Sequence, residues 1–305
     1  MGALIGVGAK VVLAGALGFV LRKTGFVSGQ LASDLGKLLI SVIAPIAILA
    51  AACQPQTEEL TKTLATATVL SVAYFTLAIV VAWAITKVLP VKQPEGRAFV
   101  MLTTFPNMTF IGIPIVTELY GTPGLLCAVI GNLMFNLVFF SFGEAYMGTT
   151  GKISIKALLK SPVLIACVVA IIVFFARLPV PSALVGGLEM VGAAMAPVAM
   201  MIVGFGLAES YLGQLIRSPL GYLASFMRLI FWPLVVLTAT RLMGLDPLAS
   251  NTMVVLFGLP CGTMTVVLAA RNRLAYRFSA GAVVQSNVLM FATMPFIYLL
   301  INTWV

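Results

Sequence analysis

Ten apolar runs of about 20 residues follow one another along this 305-residue chain, and they constrain its fold more than any other feature. A run of that length crosses a bilayer core of roughly 30 Å as a single α-helix. The runs are continuous, whereas strands of a membrane β-barrel alternate apolar and polar residues over about 10 positions. The sequence therefore predicts an all-α polytopic membrane protein. The ten predicted spans cover residues 4–21, 31–52, 64–89, 98–120, 124–146, 162–176, 183–208, 220–243, 251–270 and 279–304.

Basic residues collect in alternate loops. Of the 18 Lys and Arg residues, 14 lie in or beside the loops after spans 1, 3, 5, 7 and 9. Because cytoplasmic loops carry the excess of Lys and Arg, we expect a multi-pass protein of the plasma (cytoplasmic) membrane with both termini on the extracytoplasmic side. This distribution explains the net charge of +9 without a nucleic-acid partner. Lys152, Lys156 and Lys160 recur every four residues, which fits an amphipathic segment on the inner membrane surface or an ordinary basic loop.

The two halves of the chain resemble each other. Pro45 in span 2 and Pro197 in span 7 each follow an alanine, at an offset of 152 residues. Pro106 and Pro260 are 154 residues apart, and so are the similar segments 128–130 and 282–284. Each half has an odd number of spans, so the second half begins on the opposite side of the membrane. The sequence thus predicts two inverted five-helix repeats, 1–148 and 149–305.

Prolines interrupt spans 4 and 9 at matching places. Pro106 removes a backbone donor and clashes with the carbonyl four residues earlier, so the helix is expected to break near residues 103–106. Asn107 is a suitable N-cap for a new half-helix. Broken backbone inside a membrane is tolerated only where protein or a water-filled cavity surrounds it, and a matched pair of such breaks indicates a transporter binding site. The alternative is that Pro106 and Pro260 merely kink packed helices.

Small polar residues surround both predicted breaks. The N-terminal ends of the two new half-helices would point unpaired N–H groups and partial positive charge at a shared region, which suits an anion. Asn132 and Asn136 lie one turn apart on one face of span 5, and Gln285 occupies the counterpart span 10. Two roles fit these amides, ligand binding and holding helices together. The predicted substrate-binding residues are Thr104, Pro106, Asn107, Met108, Thr109, Asn132, Asn136, Pro260, Cys261, Gly262, Thr263 and Gln285.

Ionisable residues are expected to lie away from the breaks. Arg228 is the deepest basic residue and Glu189 lies one or two turns inside the outer face, and both are expected to pack against neighbouring helices. No carboxylate or histidine proton relay is evident, and the chain contains no histidine. Its four cysteines have no metal-binding spacing, so no metal or cofactor is predicted. An enzyme is not expected either, because no histidine and no aspartate pair occurs within the spans.

Small residues surround the second proline pair. Close backbone approach across such residues predicts that spans 2 and 7, with Pro45 and Pro197, form a packed scaffold. The same surface could hold two copies of the chain together as a homodimer. Internal helix packing explains the pattern equally well.

Several stretches resemble the auxin efflux carrier family, which includes plant auxin exporters and bacterial malate and malonate permeases. They are residues 18–25 leading to Pro45, the Pro-Asn-x-x-x-x-Gly-x-Pro pattern at 106–114, 196–207, and Pro260 with the tail to 295. The resemblance implies a scaffold of spans 1, 2, 6 and 7 and a mobile transport unit of spans 3–5 and 8–10, with spans 4 and 9 crossing. It also implies organic anions, mostly carboxylates, as substrates. Asn107 would then contact the carboxylate, with Asn132 close by.

These observations predict a secondary transporter of small organic anions, such as malate, malonate or auxin-like acids, which works by alternating access. With no fixed countercharge, the membrane potential would favour efflux. Two alternatives remain open at this stage. One is sodium- or proton-coupled uptake, as in the bile acid symporters that share this broken-helix architecture. The other is a membrane sensor, which would bind a ligand without carrying it, or a channel, which would give single-channel currents.

Overall fold

The computed structural model describes residues 2–148, 160–209 and 218–304, and within these ranges the chain is helical with no strand. The predicted basic segment around Lys152 and Lys156 lies outside the described residues. The helices are α1 (Gly2–Lys23), α2 (Gly29–Ala52), α3 (Glu58–Val88), α4 (Glu95–Thr104), α5 (Met108–Met147), α6 (Pro162–Phe175), α7 (Ser182–Ala208), α8 (Pro219–Leu242), α9 (Pro247–Phe257), α10 (Thr263–Asn272) and α11 (Tyr276–Thr303).

Six of the described helices, α2, α3, α5, α7, α8 and α11, are long and apolar enough to cross a membrane by length and composition. In α5, 67% of the most apolar window is buried, against 28% in α3, α7 and α11. The central helix is therefore α5, and the other three form the periphery. Their exposed valine, leucine and tryptophan side chains suit a lipid environment.

Side-chain caps fix where several helices begin. Ser28 accepts the N–H of Leu31 at 3.1 Å, and Asp246 accepts the N–H of Ala249 at 2.7 Å. Thr57, Ser161 and Ser218 cap α3, α6 and α8 in the same way. Each side chain satisfies one of the backbone donors that a first helical turn leaves unpaired.

One-turn π-helices precede three prolines. They cover Leu39–Ile43 before Pro45, Met108–Gly112 before Pro114 and Met227–Phe231 before Pro233. Proline cannot donate to the carbonyl four residues earlier and would clash with it, so the wider turn lets the helix continue through the proline. In α7 the counterpart adjustment is a turn at residues 193–194, before Pro197.

The boundary between predicted spans 4 and 5 is a kink rather than a loop. Helix α5 continues through it, but Gly121 adopts φ 64° and ψ −153°. Only glycine takes this conformation without strain, and Pro123 follows it closely. The chain therefore turns sharply at the predicted boundary while keeping helical hydrogen bonds on both sides.

Close backbone packing joins α1, α2, α6 and α7. A Cβ added at Gly18 would lie 2.2 Å from the Met201 carbonyl oxygen, and one at Gly204 would lie 2.0 Å from the Gly15 oxygen. On the other part of α7, a Cβ at Gly192 would lie 3.0 Å from Ala47 Cα. Small residues thus bring α7 against both α1 and α2. Helix α6 packs against the Ala44–Ala52 part of α2.

Candidate functional site

The chain breaks at both predicted places, and the two breaks are bonded to each other. The first break separates α4 from α5, and the second separates α9 from α10. Pro106 and Cys261 form an isolated antiparallel bridge. The N–H of Asn107 donates to the Pro260 oxygen at 2.9 Å, and the N–H of Gly262 donates to the Phe105 oxygen at 2.8 Å. We call this paired segment, residues 105–107 with 259–262, the crossover.

Aromatic side chains enclose the first strand of the crossover. The Phe105 ring lies 5.4 Å from the ring of Phe135 and 5.1 Å from that of Phe139, edge to face in both cases. Phe75 packs 5.9 Å away on another side. Because Phe105 is fully buried by these rings, the extended backbone beside it is shielded from lipid and water.

Two side chains bind backbone carbonyls that the breaks leave without helical partners. The Tyr74 hydroxyl donates to the Thr104 oxygen at 2.9 Å. Arg228 donates to the Leu259 oxygen from Nε at 3.1 Å and from a terminal nitrogen at 3.0 Å. Its other terminal nitrogen donates to the Tyr74 hydroxyl. The expectation that no ionisable residue lies beside a break is therefore wrong, because Arg228 lies beside both.

A cavity of about 60 Å³ lies against the crossover. It is large enough for a few water molecules. Seven predicted site residues line it, and none of the described lining side chains is ionisable. The lining residues are Ile40, Pro106, Asn107, Met108, Thr109, Phe110, Phe135, Asn136, Phe140, Ser161, Val163, Gly262, Thr263 and Met264.

Asn107 does not cap α5 as predicted. The N–H of Met108 donates to the Pro106 oxygen at 2.9 Å, which makes a tight three-residue turn with Asn107 at φ −81° and ψ 67°. The Asn107 side chain makes no capping hydrogen bond. Pairing with Pro260 holds the backbone in this conformation, and it overrides the local preference for capping. The Asn107 amide thus remains among the cavity-lining groups.

Both half-helices begin at the cavity with unpaired backbone donors. Within the described residues, no acceptor is bonded to the N–H of Thr109 or Phe110 at the start of α5. The same is true of Thr263 and Met264 at the start of α10. All four residues line the cavity. A helix N-terminus carries partial positive charge, so two of them together favour a negatively charged ligand.

A chain of amides extends behind Thr109. Asn132 donates to the Thr109 hydroxyl at 3.0 Å, and Asn136 donates to the Asn132 side-chain oxygen at 2.5 Å. Asn132 is fully buried and lies outside the cavity lining, whereas Asn136 reaches it. The two amides, predicted from their spacing on one helix face, thus orient each other and Thr109.

Besides Asn132, four predicted site residues do not line the cavity. Pro260 and Cys261 form the second strand of the crossover, and the N–H of Cys261 donates to the Ser286 hydroxyl at 3.1 Å. The Thr104 hydroxyl is buried without a partner among the described residues. Gln285 lies against Gly221 of α8, where a Cβ on the glycine would approach the amide oxygen to 2.7 Å. The Gln285 side chain therefore lies against α8 and not at the cavity.

A second cavity of about 350 Å³ lies further along α5. Its walls come from α2, α5 and α7, and include Pro114, Glu118 and Glu189. Lys10 of α1 forms an ion pair with Glu118. The segment from Pro106 of the crossover to Glu118 of α5 therefore borders both cavities, the small one at its start and the larger one at its end. The predicted scaffold prolines Pro45 and Pro197 do not line this cavity, but the nearby residues Ala47 and Ala196 do.

Sequence reasoning missed one further ion pair. Glu144 near the end of α5 is buried, and it pairs with Arg271 at the end of α10. The pair links the end of α5, beyond the Gly121 kink, to the end of α10. Within the described ranges, no group of three or more His, Cys, Asp or Glu side chains could hold a metal ion.

Comparison with known proteins gives two kinds of match. The sequence model of a family described as "Membrane transport protein" matches residues 5–149 and 144–298. An uncharacterized transporter of Methanocaldococcus jannaschii is 24% identical over 220 residues, which is 70% of this chain and 68% of the relative. An uncharacterized transporter of Methanothermobacter thermautotrophicus is 22% identical over 284 residues, which is 92% of each chain.

Proposed function

This chain belongs to the membrane transport protein family, and we propose that it is a secondary transporter of small organic anions such as carboxylates. The family membership is the one that the sequence motifs indicated. The observation that carries the substrate class is the cavity at the crossover. Residues with four unpaired N–H groups from two helix N-termini border it, together with Asn107, and none of the described lining residues is negatively charged. A small anion would complete the hydrogen bonding of these donors.

The proposed binding site follows from this arrangement. Asn107, Thr109 and Thr263 supply side-chain donors, and Gly262 lets the backbone approach the ligand closely. Asn132 and Asn136 hold the Thr109 hydroxyl in place. The crossover, which contains Pro106, Pro260 and Cys261, separates α5 from α4 and α10 from α9. Neutral donors in a protein-enclosed site interact more strongly with an anion than the same donors in water.

Alternating access is the proposed mechanism. We propose ten spans in two inverted repeats, with α1, α2, α6 and α7 as scaffold and the remaining helices as the moving unit. The packing of the first four against one another supports this grouping. The crossover belongs to the moving unit, and the two cavities border the same segment of α5. Movement of that segment along α2 and α7 would open the site to one side and close it to the other.

The proposed orientation follows the basic loops and places the small cavity on the cytoplasmic side and the larger one outside, in the plasma membrane. An anion moving outward down the potential gains about 2.3 kcal/mol per charge per 100 mV. Efflux is therefore the proposed direction. In liposomes, an imposed voltage should accelerate anion movement toward the positive side.

Flux in proteoliposomes tests the function directly. Purified protein is screened for thermal stabilisation by mono- and dicarboxylates, and the strongest binder is then used for flux. Loss of flux on sodium replacement, or on collapse of a proton gradient, would instead identify a coupled symporter. Binding without flux would identify a sensor. Neither binding nor flux for any carboxylate, from protein that remains folded, would refute the proposal.

Asn107→Asp tests the site. The change keeps the side-chain size but places a negative charge about 4 Å from a bound carboxylate, which costs about 4 kcal/mol at an effective dielectric of 20. We expect roughly a thousandfold weaker binding and no measurable flux, with normal membrane insertion. Asn302→Asp is the matched control, because Asn302 is exposed near the end of α11. Equal flux in both variants would remove Asn107 from the site.

A further inference from the structure

Arg228 is fully buried in the membrane-spanning part of the protein. Its side chain is 0% exposed, and it is the largest fully buried side chain among the described residues. Three of its five N–H groups are used, two on the Leu259 oxygen and one on the Tyr74 hydroxyl. All of these partners are neutral. None of these partners balances the positive charge of the guanidinium, and an unbalanced buried charge is costly.

No carboxylate neutralises this charge within the part of the chain that the structure describes. The ion pairs found there join Lys10 to Glu118, Lys37 to Asp34, Lys62 to Glu58 and Arg271 to Glu144. Glu144 is the one buried acidic side chain among those residues, and Arg271 already pairs with it. Arg228 is thus a buried cation whose counter-ion is not part of the described protein.

Carbonyl capping alone does not explain a charge at this position. At the other break, the group that binds the Thr104 carbonyl is the neutral Tyr74 hydroxyl. Tyr74 and Arg228 are 154 residues apart, which is also the separation of Pro106 and Pro260. The two side chains therefore have equivalent places in the sequence repeat and similar tasks. Because a hydroxyl suffices for that task at one break, the positive charge at the other has a further role.

The charge lies close to the cavity. Arg228 holds the Leu259 carbonyl, and the cavity-lining residue Gly262 is three residues further along the same extended strand. Three extended residues span at most about 10 Å. We propose that Arg228 is the fixed counter-charge of the transported anion, and that it adapts the site to a single negative charge. This inference rests on the proposed function, since it identifies the charge state of that function's substrate.

A single fixed cation favours monoanions for a simple reason. Attraction to Arg228 grows in proportion to the charge of the ligand, whereas the cost of removing the ligand from water grows with the square of that charge. A monoanion leaves the buried site neutral overall. A dianion leaves it with one uncompensated negative charge. The preferred substrate is therefore a monocarboxylate, or the singly charged form of a dicarboxylic acid.

The experiment separates charge from hydrogen bonding with three variants of the full chain. Arg228→Gln removes the charge, Arg228→Lys keeps it without the forked geometry, and Tyr74→Phe removes a neutral hydrogen bond at the other break. Dissociation constants are measured for saturated mono- and dicarboxylates of two to five carbons, in pairs of equal length. Unfolding temperatures are recorded alongside. Charges about 10 Å apart at an effective dielectric of about 20 predict roughly fifteenfold weaker monoanion binding for Arg228→Gln.

We expect Arg228→Lys and Tyr74→Phe to bind the monocarboxylates within about threefold of the wild type, even where their unfolding temperatures fall. Wild-type-like binding by Arg228→Gln would overturn the inference. Equal losses in Arg228→Gln and Tyr74→Phe would do so too, because a purely structural role would produce them. Wild-type protein that binds no carboxylate would instead overturn the proposed function, and the inference with it.

The wild type supplies a second measurement that does not depend on any variant folding. At pH 8 each monocarboxylate should bind more tightly than the dicarboxylate of the same length. Lowering the pH toward the second ionisation of the dicarboxylic acid should strengthen its binding, while the monocarboxylate changes little over the same range. Equal or tighter binding of the dianions at pH 8 would overturn the inference.

Discussion

Gly262→Ala tests whether the crossover is as tight as the structure shows. Gly262 adopts φ −70° and ψ 131°, which any residue tolerates, so the substitution causes no backbone strain of its own. The added Cβ would lie 2.8 Å from the Phe105 oxygen and 3.0 Å from the Pro106 oxygen. Both oxygens belong to backbone, and neither can rotate away. The methyl group must therefore push the two strands of the crossover apart.

The cost has two parts. Overpacking in a close-packed region typically costs about 1–3 kcal/mol. Separating the strands also weakens the bond from the Gly262 N–H to the Phe105 oxygen, now 2.8 Å, and a net hydrogen bond contributes about 0.5–1.5 kcal/mol. Together they predict a destabilisation of roughly 2–4 kcal/mol. Transport should fall further, because both half-helix ends would move away from the ligand.

Gly186→Ala is the matched control. Gly186 is exposed within α7, and an added Cβ would meet nothing within 4 Å. Alanine is favoured over glycine inside a helix by about 0.5–1 kcal/mol, so this variant should be neutral or slightly more stable. Unfolding temperature and flux are measured for both purified proteins. A Gly262→Ala protein as stable and as active as the Gly186→Ala protein would refute the tight crossover.

Two further predictions concern groups away from the crossover. Burial and the nearby Glu189 carboxylate raise the pKa of Cys53, so labelling by an impermeant maleimide should be slow at pH 7 and accelerate as the pH rises past 9. Labelling from outside intact cells is expected, and labelling from the cytoplasmic side alone would contradict the proposed orientation. Arg271→Gln leaves the buried Glu144 carboxylate without its partner and should cost roughly 1–3 kcal/mol, measured by thermal unfolding. Arg273→Gln is its control, and an equal loss there would contradict a specific role for the ion pair.

The two breaks could be predicted from the sequence because proline acts locally. Pro106 and Pro260 cannot donate to a helix and disfavour the helical conformation just before them, whatever surrounds them. The kink at Gly121 followed from equally local causes, although it was predicted as a loop. The positions of Asn132 and Asn136 on one face needed only helical periodicity. Each of these predictions depends on covalent geometry or on near neighbours in the chain.

The remaining features depend on contacts between distant segments. Asn107 has the sequence of a helix cap, but its backbone is fixed by Pro260, 153 residues away, and its side chain is free of that task. Gln285 occupies a polar position in span 10, yet the rotation of α11 directs it toward Gly221. Arg228 was expected to pack against neighbouring helices away from the breaks. Arg228 and Tyr74 are separated by the same 154 residues as Pro260 and Pro106, and this was the one signal in the sequence that could have identified the place of Arg228.

The polar backbone at the crossover has to be satisfied inside a membrane, and the way it is satisfied constrains the mechanism. The two strands pair with each other, and Tyr74 and Arg228 bind carbonyls at both breaks, so the acceptors are largely occupied by protein. Among the described residues, the unpaired donors at the starts of α5 and α10 have no such partner, and the residues that carry them all line the same cavity. Water or an anion must accept hydrogen bonds from these donors in every state of the cycle, because a dry and empty site would leave several buried donors unpaired. If the cavity binds the anion as proposed, release of the anion requires water to enter from the same side, which is the condition that alternating access fulfils.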